Sequence, residues 1–202
     1  MIAIIDYGMG NLRSVQKAFD RLGVEASVTS DKSVVERAEK VVLPGVGAIA
    51  DAIAELKRSG MVDTIYRTIE NDKPFLGICL GFQALFEESE ENGGVKCLGV
   101  FKGKVLRFPD NPRYVVPHMG WNDLTFKKQT PIYAGLKPSD YVYFVHSYYV
   151  SADEPDIVAT TTNYDEIDFC SSIAKGNVFG MQFHPEKSQN VGLKILKNFA
   201  EL

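Results

Sequence analysis

The chain has 202 residues, with 22 Lys plus Arg against 26 Asp plus Glu and a formal net charge of −4. Hydrophobic residues make up 45% and charged residues 24%, an ordinary globular composition that excludes disordered, collagen-like and coiled-coil classes. A mildly acidic chain without a basic block lacks the footprint of a nucleic-acid binder, and no apolar run approaches the roughly 18 residues of a membrane span.

Ile2–Ile5 is a short continuous apolar run, as expected of a strand buried on both faces. Without a basic segment before it, and with Asp6 ending the run, a secretory leader is not expected. Tyr7-Gly8-Met9-Gly10 is a turn. Asn11 is a predicted N-cap for a helix over Leu12–Leu22, with Val15, Ala18, Phe19 and Leu22 on one face. Strands are predicted over Val24–Val28 and Lys40–Leu43. Pro44-Gly45-Val46-Gly47 then turns into a helix over Ala48–Lys57, and a second helix spans Met61–Asn71. Pro74–Ile78 is another apolar strand, followed after one sharp turn by a helix over Leu80–Glu88. This alternation predicts a parallel sheet covered by helices on both faces.

The second half changes character. Val100–Phe108, Val115–Pro117, Asn122–Phe126, Tyr141–Val145, Ser147–Val150, Ile157–Thr162, Phe169–Ala174 and Val178–Phe183 are predicted strands, many rich in aromatic and β-branched residues. A final helix is predicted over Asn190–Glu201. The three cysteines, Cys79, Cys97 and Cys170, are odd in number and lack zinc-type spacing, which fits a reduced, cytoplasmic chain.

One of the three sits where chemistry is expected. Gly77-Ile78-Cys79-Leu80-Gly81 joins a buried strand directly to a helix, the nucleophile-elbow pattern with Cys in place of Ser. The tight turn leaves no room for side chains at the flanking positions, and the helix N-terminus favours a thiolate. The Leu80 amide would point at an oxyanion formed on Cys79. The bland alternative is a small core cysteine between packing glycines. His184 ends an apolar strand in Phe183-His184-Pro185-Glu186. Pro185 biases it toward extended geometry, in which Glu186 falls on the same side and can accept the ring Nδ1 proton. Nucleophile, base and orienter then follow in the order Cys, His, Glu. His118 and His146 read as structural histidines, and no two histidines have metal-ligand spacing. The Pro44–Gly47 turn can supply a second oxyanion donor. Gly8-Met9-Gly10-Asn11-Leu12-Arg13 lacks the third glycine of a dinucleotide fingerprint. The acidic run Glu87–Glu91 reads as a solvated face at a helix end, or as a seat for a substrate ammonium.

The segments Gly77–Gln83 and Phe183–Glu186 resemble the class I glutamine amidotransferases, which hydrolyse glutamine through a Cys-His-Glu triad. Tyr7–Ser14, Pro44–Ala48, Pro117–Asn122, Phe144–Tyr148 and Gln182–Ser188 narrow the resemblance to the glutaminase subunits of imidazole glycerol phosphate synthases, over almost the whole chain. Phe82 stands where Met is common and Ile49 where Phe is common; both keep an apolar side chain. The resemblance implies one glutaminase domain over residues 1–202, an α/β flavodoxin-like fold with a central, largely parallel sheet flanked by helices and added strands in the second half. It implies Cys79 as nucleophile, His184 as base and Glu186 as orienter, with the Val46 and Leu80 amides holding the oxyanion. Gly47, Gln83, Glu91, Ser147 and Tyr148 would grip glutamine, Glu91 suiting its ammonium group. No metal or cofactor is implied. Ammonia would pass to a (β/α)8-barrel cyclase subunit, docked as a heterodimer through Met9, Asn11, Trp121, Tyr143 and Lys187. That partner would make imidazole glycerol phosphate and an aminoimidazole carboxamide ribotide in histidine biosynthesis. Low activity without the partner is expected.

Three other functions fit parts of the pattern. The same chemistry could serve a surface amino-sugar amidotransferase. A flavodoxin-like binding module fits the first half but has no use for Cys79, His184 and Glu186. A cysteine peptidase or esterase fits the elbow, whereas Gln83 and Glu91 suit a small zwitterion better.

Overall fold

The computed structural model describes residues 1–110, 115–138 and 140–202. In the first half, β1 (Ile2–Ile5), α1 (Leu12–Arg21), β2 (Ala26–Thr29), α2 (Lys32–Arg37), β3 (Lys40–Gly45), α3 (Ile49–Arg58), α4 (Met61–Glu70), β4 (Phe75–Cys79) and α5 (Leu80–Gln83) follow in turn. Then come β5 (Glu88–Ser89), β6 (Val95–Lys96), β7 (Gly103–Arg107), β8 (His118–Asp123), β9 (Thr125–Phe126), β10 (Tyr141–His146), β11 (Tyr148–Ala152), β12 (Val158–Tyr164), β13 (Ile167–Lys175), β14 (Val178–Met181) and α6 (Gln189–Ala200).

The main sheet runs β2-β1-β3-β4-β14-β13-β11-β7-β5-β6, with β12 beside β13 and β9 beside β12. Its first five strands are all parallel, which is the doubly wound order of a flavodoxin-like fold. From β13 to β7 the pairing is antiparallel. Alternate residues of β1 explain its continuous apolar run. Ala3 and Ile5 pack with α3 and α4 residues such as Ile53 and Ile65, whereas Ile2 and Ile4 pack with Phe19 of α1 and Phe199 of α6. Two apolar layers thus sandwich one sheet, and the C-terminal ends of β1, β3, β4 and β14 open onto a common edge.

Several expectations need correction. α2 falls where no helix was expected: it is only six residues long, started by the Asp31 carboxylate accepting from the Ser33 amide at 2.8 Å. Asn11 does sit at the start of α1, but its side chain accepts from the Ser14 hydroxyl rather than from a backbone amide. α5 stops at Gln83 instead of reaching Glu88. The carbonyls of Ala84, Leu85, Phe86 and Glu87 are taken by the amides of Leu98, Phe101, Gly99 and Cys97, so a loop replaces the helical partners. Glu88–Ser89 enters the sheet beside β7. The acidic run is solvated as expected, with Glu87 and Glu90 exposed, but it lies on a loop and β5 and not at a helix end: Glu87 accepts from the Gly103 amide, Glu88 pairs with Lys104, and Glu90 accepts from the Arg107 amide. Val115–Pro117 is no strand, since Pro117 has no N–H to give a ladder. The strand expected over Asn122–Phe126 is instead β8 and β9. β8 pairs with β10 in a separate two-stranded ribbon. Among the described residues no helix is long and apolar enough to cross a membrane.

Candidate active site

Cys79 closes β4 and opens α5 at φ 54°, ψ −109°, a backbone conformation that a non-glycine residue holds only when its surroundings force it. The flanking glycines show what forces it. A Cβ on Gly77 would lie 2.9 Å from the Gly81 carbonyl oxygen, and one on Gly81 would lie 1.9 Å from that of Leu43. The elbow packs backbone on backbone, and its register sets Cys79 opposite Gly45 of β3. On the other side Ile78 pairs with Met181, so Gln182 follows immediately beside the sulfur.

His184 lies just beyond β14, with its amide donating to the Tyr143 carbonyl at 2.9 Å. Its Nδ1 stands 2.9 Å from Glu186 Oε1, with both side chains almost fully buried. His184 is extended, at φ −99° and ψ 98°, as Pro185 favours, but the chain does not stay extended: Pro185–Lys187 is a single 3-10 turn that swings Glu186 back onto the ring. Among the described residues, Nε2 of His184 and Oε2 of Glu186 are buried without a hydrogen-bond partner. Burial alone would lower the imidazole's pKa, but its contacts with Cys79 and then Glu186 outweigh that and hold it above its ordinary value.

A cavity of about 560 Å³ lies over this end of the sheet. It is lined by eleven of the residues singled out from sequence: Cys79, His184, Val46, Leu80, Gly47, Gln83, Glu91, Ser147, Tyr148, Asn11 and Lys187. Its size suits a small ligand. Glu186 sits behind His184, outside the lining. Met9 is half-buried with its terminal methyl near Gly47. Glu91 also supports the fold, because its Oε2 accepts from the Ile49 amide at 2.9 Å and so covers the N-terminus of α3.

Two features lie within the resembling segments, but the site expected from sequence gives them no role. The first is Gln182, fully buried, whose Nε2 donates to Cys79 Sγ at 3.7 Å. Its Oε1 accepts from Gln83 Nε2 at 2.9 Å, and Gln83 also donates to the Tyr148 carbonyl at 2.9 Å. Both Nε2 hydrogens of Gln83 are thereby used, which leaves Oε1 to face a ligand. Gln182 directly follows β14, and the signal that could have found it is a polar residue closing an apolar run at the head of the Gln182–Ser188 segment. The second is that the structural histidines form a chain ending at the cavity. Asn122 Nδ2 approaches His118 Nε2 at 3.3 Å, His118 Nδ1 approaches His146 Nε2 at 3.0 Å, and His146 Nδ1 approaches the Tyr148 carbonyl at 2.8 Å. A carbonyl can only accept, so each ring carries its proton on Nδ1. Burial pushes His118 down to about 4 and His146 to about 3, so both are neutral near pH 7.

Beside the cavity, the outward face of the ribbon carries Met119 (65% exposed), Trp121 (45%) and Tyr141 (51%). Tyr143 and Val145 share that face by alternation, Tyr143 being opposite Trp121 with ring centroids 6.0 Å apart. Lys187 Nζ lies 5.8 Å from the Tyr143 ring. Trp121 and Lys187 thus both lie near Tyr143; of the three only Lys187 lines the cavity, and the alternation in β8 and β10 puts Met119 on the face of Trp121 and Tyr141 on that of Tyr143.

The family model for "Glutamine amidotransferase class-I" matches residues 3–202. The chain is 54% identical over 202 residues to the "Imidazole glycerol phosphate synthase subunit HisH" of Caldanaerobacter subterraneus subsp. tengcongensis, covering 100% of this chain and 98% of that protein. It is 51% identical over 207 residues to the protein of the same name from Syntrophotalea carbinolica, covering all of both. Among solved structures, that of PurLQS from Thermotoga maritima superposes with a TM-score of 0.76 at 21% identity, over 99% of this chain and 97% of that one, a likeness of fold. Elbow, buried His–Glu pair, fold and full-length relatives agree, and the chain belongs to the class I glutamine amidotransferases, within the family of HisH subunits of imidazole glycerol phosphate synthase.

Proposed function

We propose that residues 1–202 form one cytoplasmic glutaminase domain that hydrolyses glutamine to glutamate and ammonia. The observation that carries this reading is the meeting, at one cavity wall, of Cys79 on its strained elbow with a buried His184 paired to Glu186. Cys79 Sγ attacks the side-chain amide carbon. His184 Nε2, which has no other partner among the described residues, takes the thiol proton and returns it to the departing nitrogen as ammonia. Glu186 holds the ring through Nδ1 and favours the imidazolium. The amides of Val46 and Leu80 hold the oxyanion, and water cleaves the thioester to release glutamate. Glu91 receives the substrate ammonium, and Gly47, Gln83, Ser147 and Tyr148 complete the pocket.

The name shared by the full-length relatives supports a place in imidazole glycerol phosphate synthase, with the ammonia delivered to a barrel cyclase for histidine biosynthesis. The exposed ribbon face of Met119, Trp121, Tyr141 and Tyr143, with Met9 and the cavity residues Asn11 and Lys187, docks the cyclase, which closes the cavity against ammonia loss. The test is glutamate release by the chain alone, and mixed with the cyclase of its genome and the cyclase substrate. Strong stimulation by the liganded cyclase, abolished in Cys79→Ala, is expected. Activity indifferent to the cyclase would redirect the ammonia to another acceptor enzyme, and turnover retained in Cys79→Ala would remove the mechanism.

A further inference from the structure

We propose that Gln182 is the positioning residue that orders Cys79: its buried carboxamide gives an N–H to the sulfur and so leaves the thiol proton one direction to go, toward His184. The inference rests on Cys79 being the nucleophile, and it adds a residue outside the triad, the oxyanion donors and the glutamine-binding set.

The orientation of Gln182 follows from an anchor that cannot invert. The Tyr148 carbonyl only accepts, so the Gln83 group 2.9 Å from it is the NH2 end. That NH2 also lies 2.9 Å from Gln182, which must therefore turn its oxygen to Gln83 and its nitrogen to Cys79. A flipped Gln182 would set two NH2 groups against each other. The anchor itself is held from the far side by His146 Nδ1, 2.8 Å from the same carbonyl. Every group in this line is buried or half-buried, so water does not compete for the bonds.

A donor aimed at sulfur has two consequences. The thiol hydrogen cannot point at Gln182, because the position is occupied by another hydrogen, and His184 Nε2 is the buried acceptor left without a partner. When the proton moves to His184, the N–H then faces a thiolate, and hydrogen bonds to charged groups are the stronger kind. Titratable neighbours of Cys79 are His184, from the loop after β14, and Tyr7, from the loop after β1; substitution of Gln182 leaves both in place. Gln182 does not line the cavity and reaches the glutamine seat only through Gln83, a bond that Gln182→Glu retains.

The experiment is the rate of Cys79 alkylation by iodoacetamide as a function of pH, followed by peptide mass spectrometry. It compares the full chain with Gln182→Met, which removes the donor, and Gln182→Glu, which keeps the volume and the bond from Gln83 but turns an acceptor toward sulfur. Alkylation follows the thiolate fraction, so the rate at pH 7 is expected to fall about tenfold in Gln182→Met and further in Gln182→Glu, with the whole profile displaced to higher pH. With the cyclase and its substrate present, kcat for glutamine falls by a similar factor in Gln182→Glu, which keeps Gln83 bonded, while KM stays within about twofold. Gln83→Met, which removes the anchor of Gln182 together with a pocket contact and is therefore read by alkylation alone, gives a smaller displacement in the same direction and decides the matter if neither Gln182 variant folds. A wild-type profile in every variant that folds overturns the proposal. Because alkylation needs no glutamine, that failure is distinct from failure of the glutaminase reading, which would show as a wild-type chain that releases no glutamate.

Discussion

Gly81→Ala tests whether the elbow depends on backbone contact. The new methyl would stand 1.9 Å from the Leu43 carbonyl oxygen and 2.9 Å from its carbon. A carbon and a carbonyl oxygen need about 3.2 Å, so α5 and β3 must part by more than about 1 Å. Leu43 cannot yield readily, since β3 is hydrogen-bonded between β1 and β4 and is fully buried there. Overpacking typically costs about 1–3 kcal/mol, and an obstacle made of backbone belongs at the top of that range or above it. For a chain of this length about 3 kcal/mol lowers Tm by roughly 6–12 °C. The same displacement moves Cys79 away from Val46 and His184, and a misplacement of about 1 Å can cost about a hundredfold in rate. Thermal denaturation followed by circular dichroism, together with glutamate release in the cyclase complex, reads both effects. Gly99→Ala is the control. Gly99 has φ +65° but nothing within 4 Å of a new Cβ, so only backbone strain of about 1–2 kcal/mol is expected, with turnover unchanged. Melting of Gly81→Ala within about 2 °C of wild type with full turnover would refute the argument, as would an equal loss in Gly99→Ala.

Glu91→Gln keeps an oxygen for the Ile49 amide but loses the charge, so KM for glutamine is expected to rise about tenfold or more with little change in Tm; an unchanged KM would reassign Glu91 to capping α3 alone. Trp121→Ala is expected to weaken cyclase binding by about 2 kcal/mol or more, read by titration calorimetry, while the free chain melts normally because Trp121 is only half-buried. The two neutral histidines make the fold sensitive to acid. Their folded values lie below the ordinary value of about 6.5, so the unfolded chain binds protons first and stability is lost as pH falls from 6.5 toward 4. The pair together costs up to about 4 kcal/mol by pH 5, and a His118→Gln/His146→Gln chain whose Tm falls as steeply over that range as wild type would refute the assignment.

The parallel half of the fold is legible in the sequence because its signals are local. β1, β3 and β4 are short apolar runs, α1, α3 and α4 each carry an apolar stripe at helical spacing, and the elbow announces itself as glycines two residues either side of Cys79. The errors arise where partners distant in sequence decide. Residues 84–87 have good helical character, and only the 97–101 loop, by capturing four carbonyls, ends α5 early. Likewise Val115–Pro117 has strand-forming residues, but β8 begins at His118, whose ring is fixed by His146 from β10. His184 and Glu186 do pair, and for a local reason, but the extended geometry holds only at His184 and a 3-10 turn over Pro185–Lys187 completes the approach.

Gln182 shows the limit of motif reading in physical terms. Its identity matters only through Gln83, Tyr148 and Cys79, which come from α5, the start of β11 and the end of β4. No spacing in the chain encodes that meeting. The parallel register does: β4 and β14 are adjacent and in step, so the residue after Met181 must lie beside the residue after Ile78. The same register places Gly45 opposite Cys79 and so carries Val46 to the cavity wall. The site is therefore less a set of motifs than the common C-terminal edge of three strands. A substitution that shifts β3, β4 or β14 against its neighbour disturbs nucleophile, base and oxyanion donor together, whereas one on β13, farther along the sheet, changes stability and leaves that edge intact.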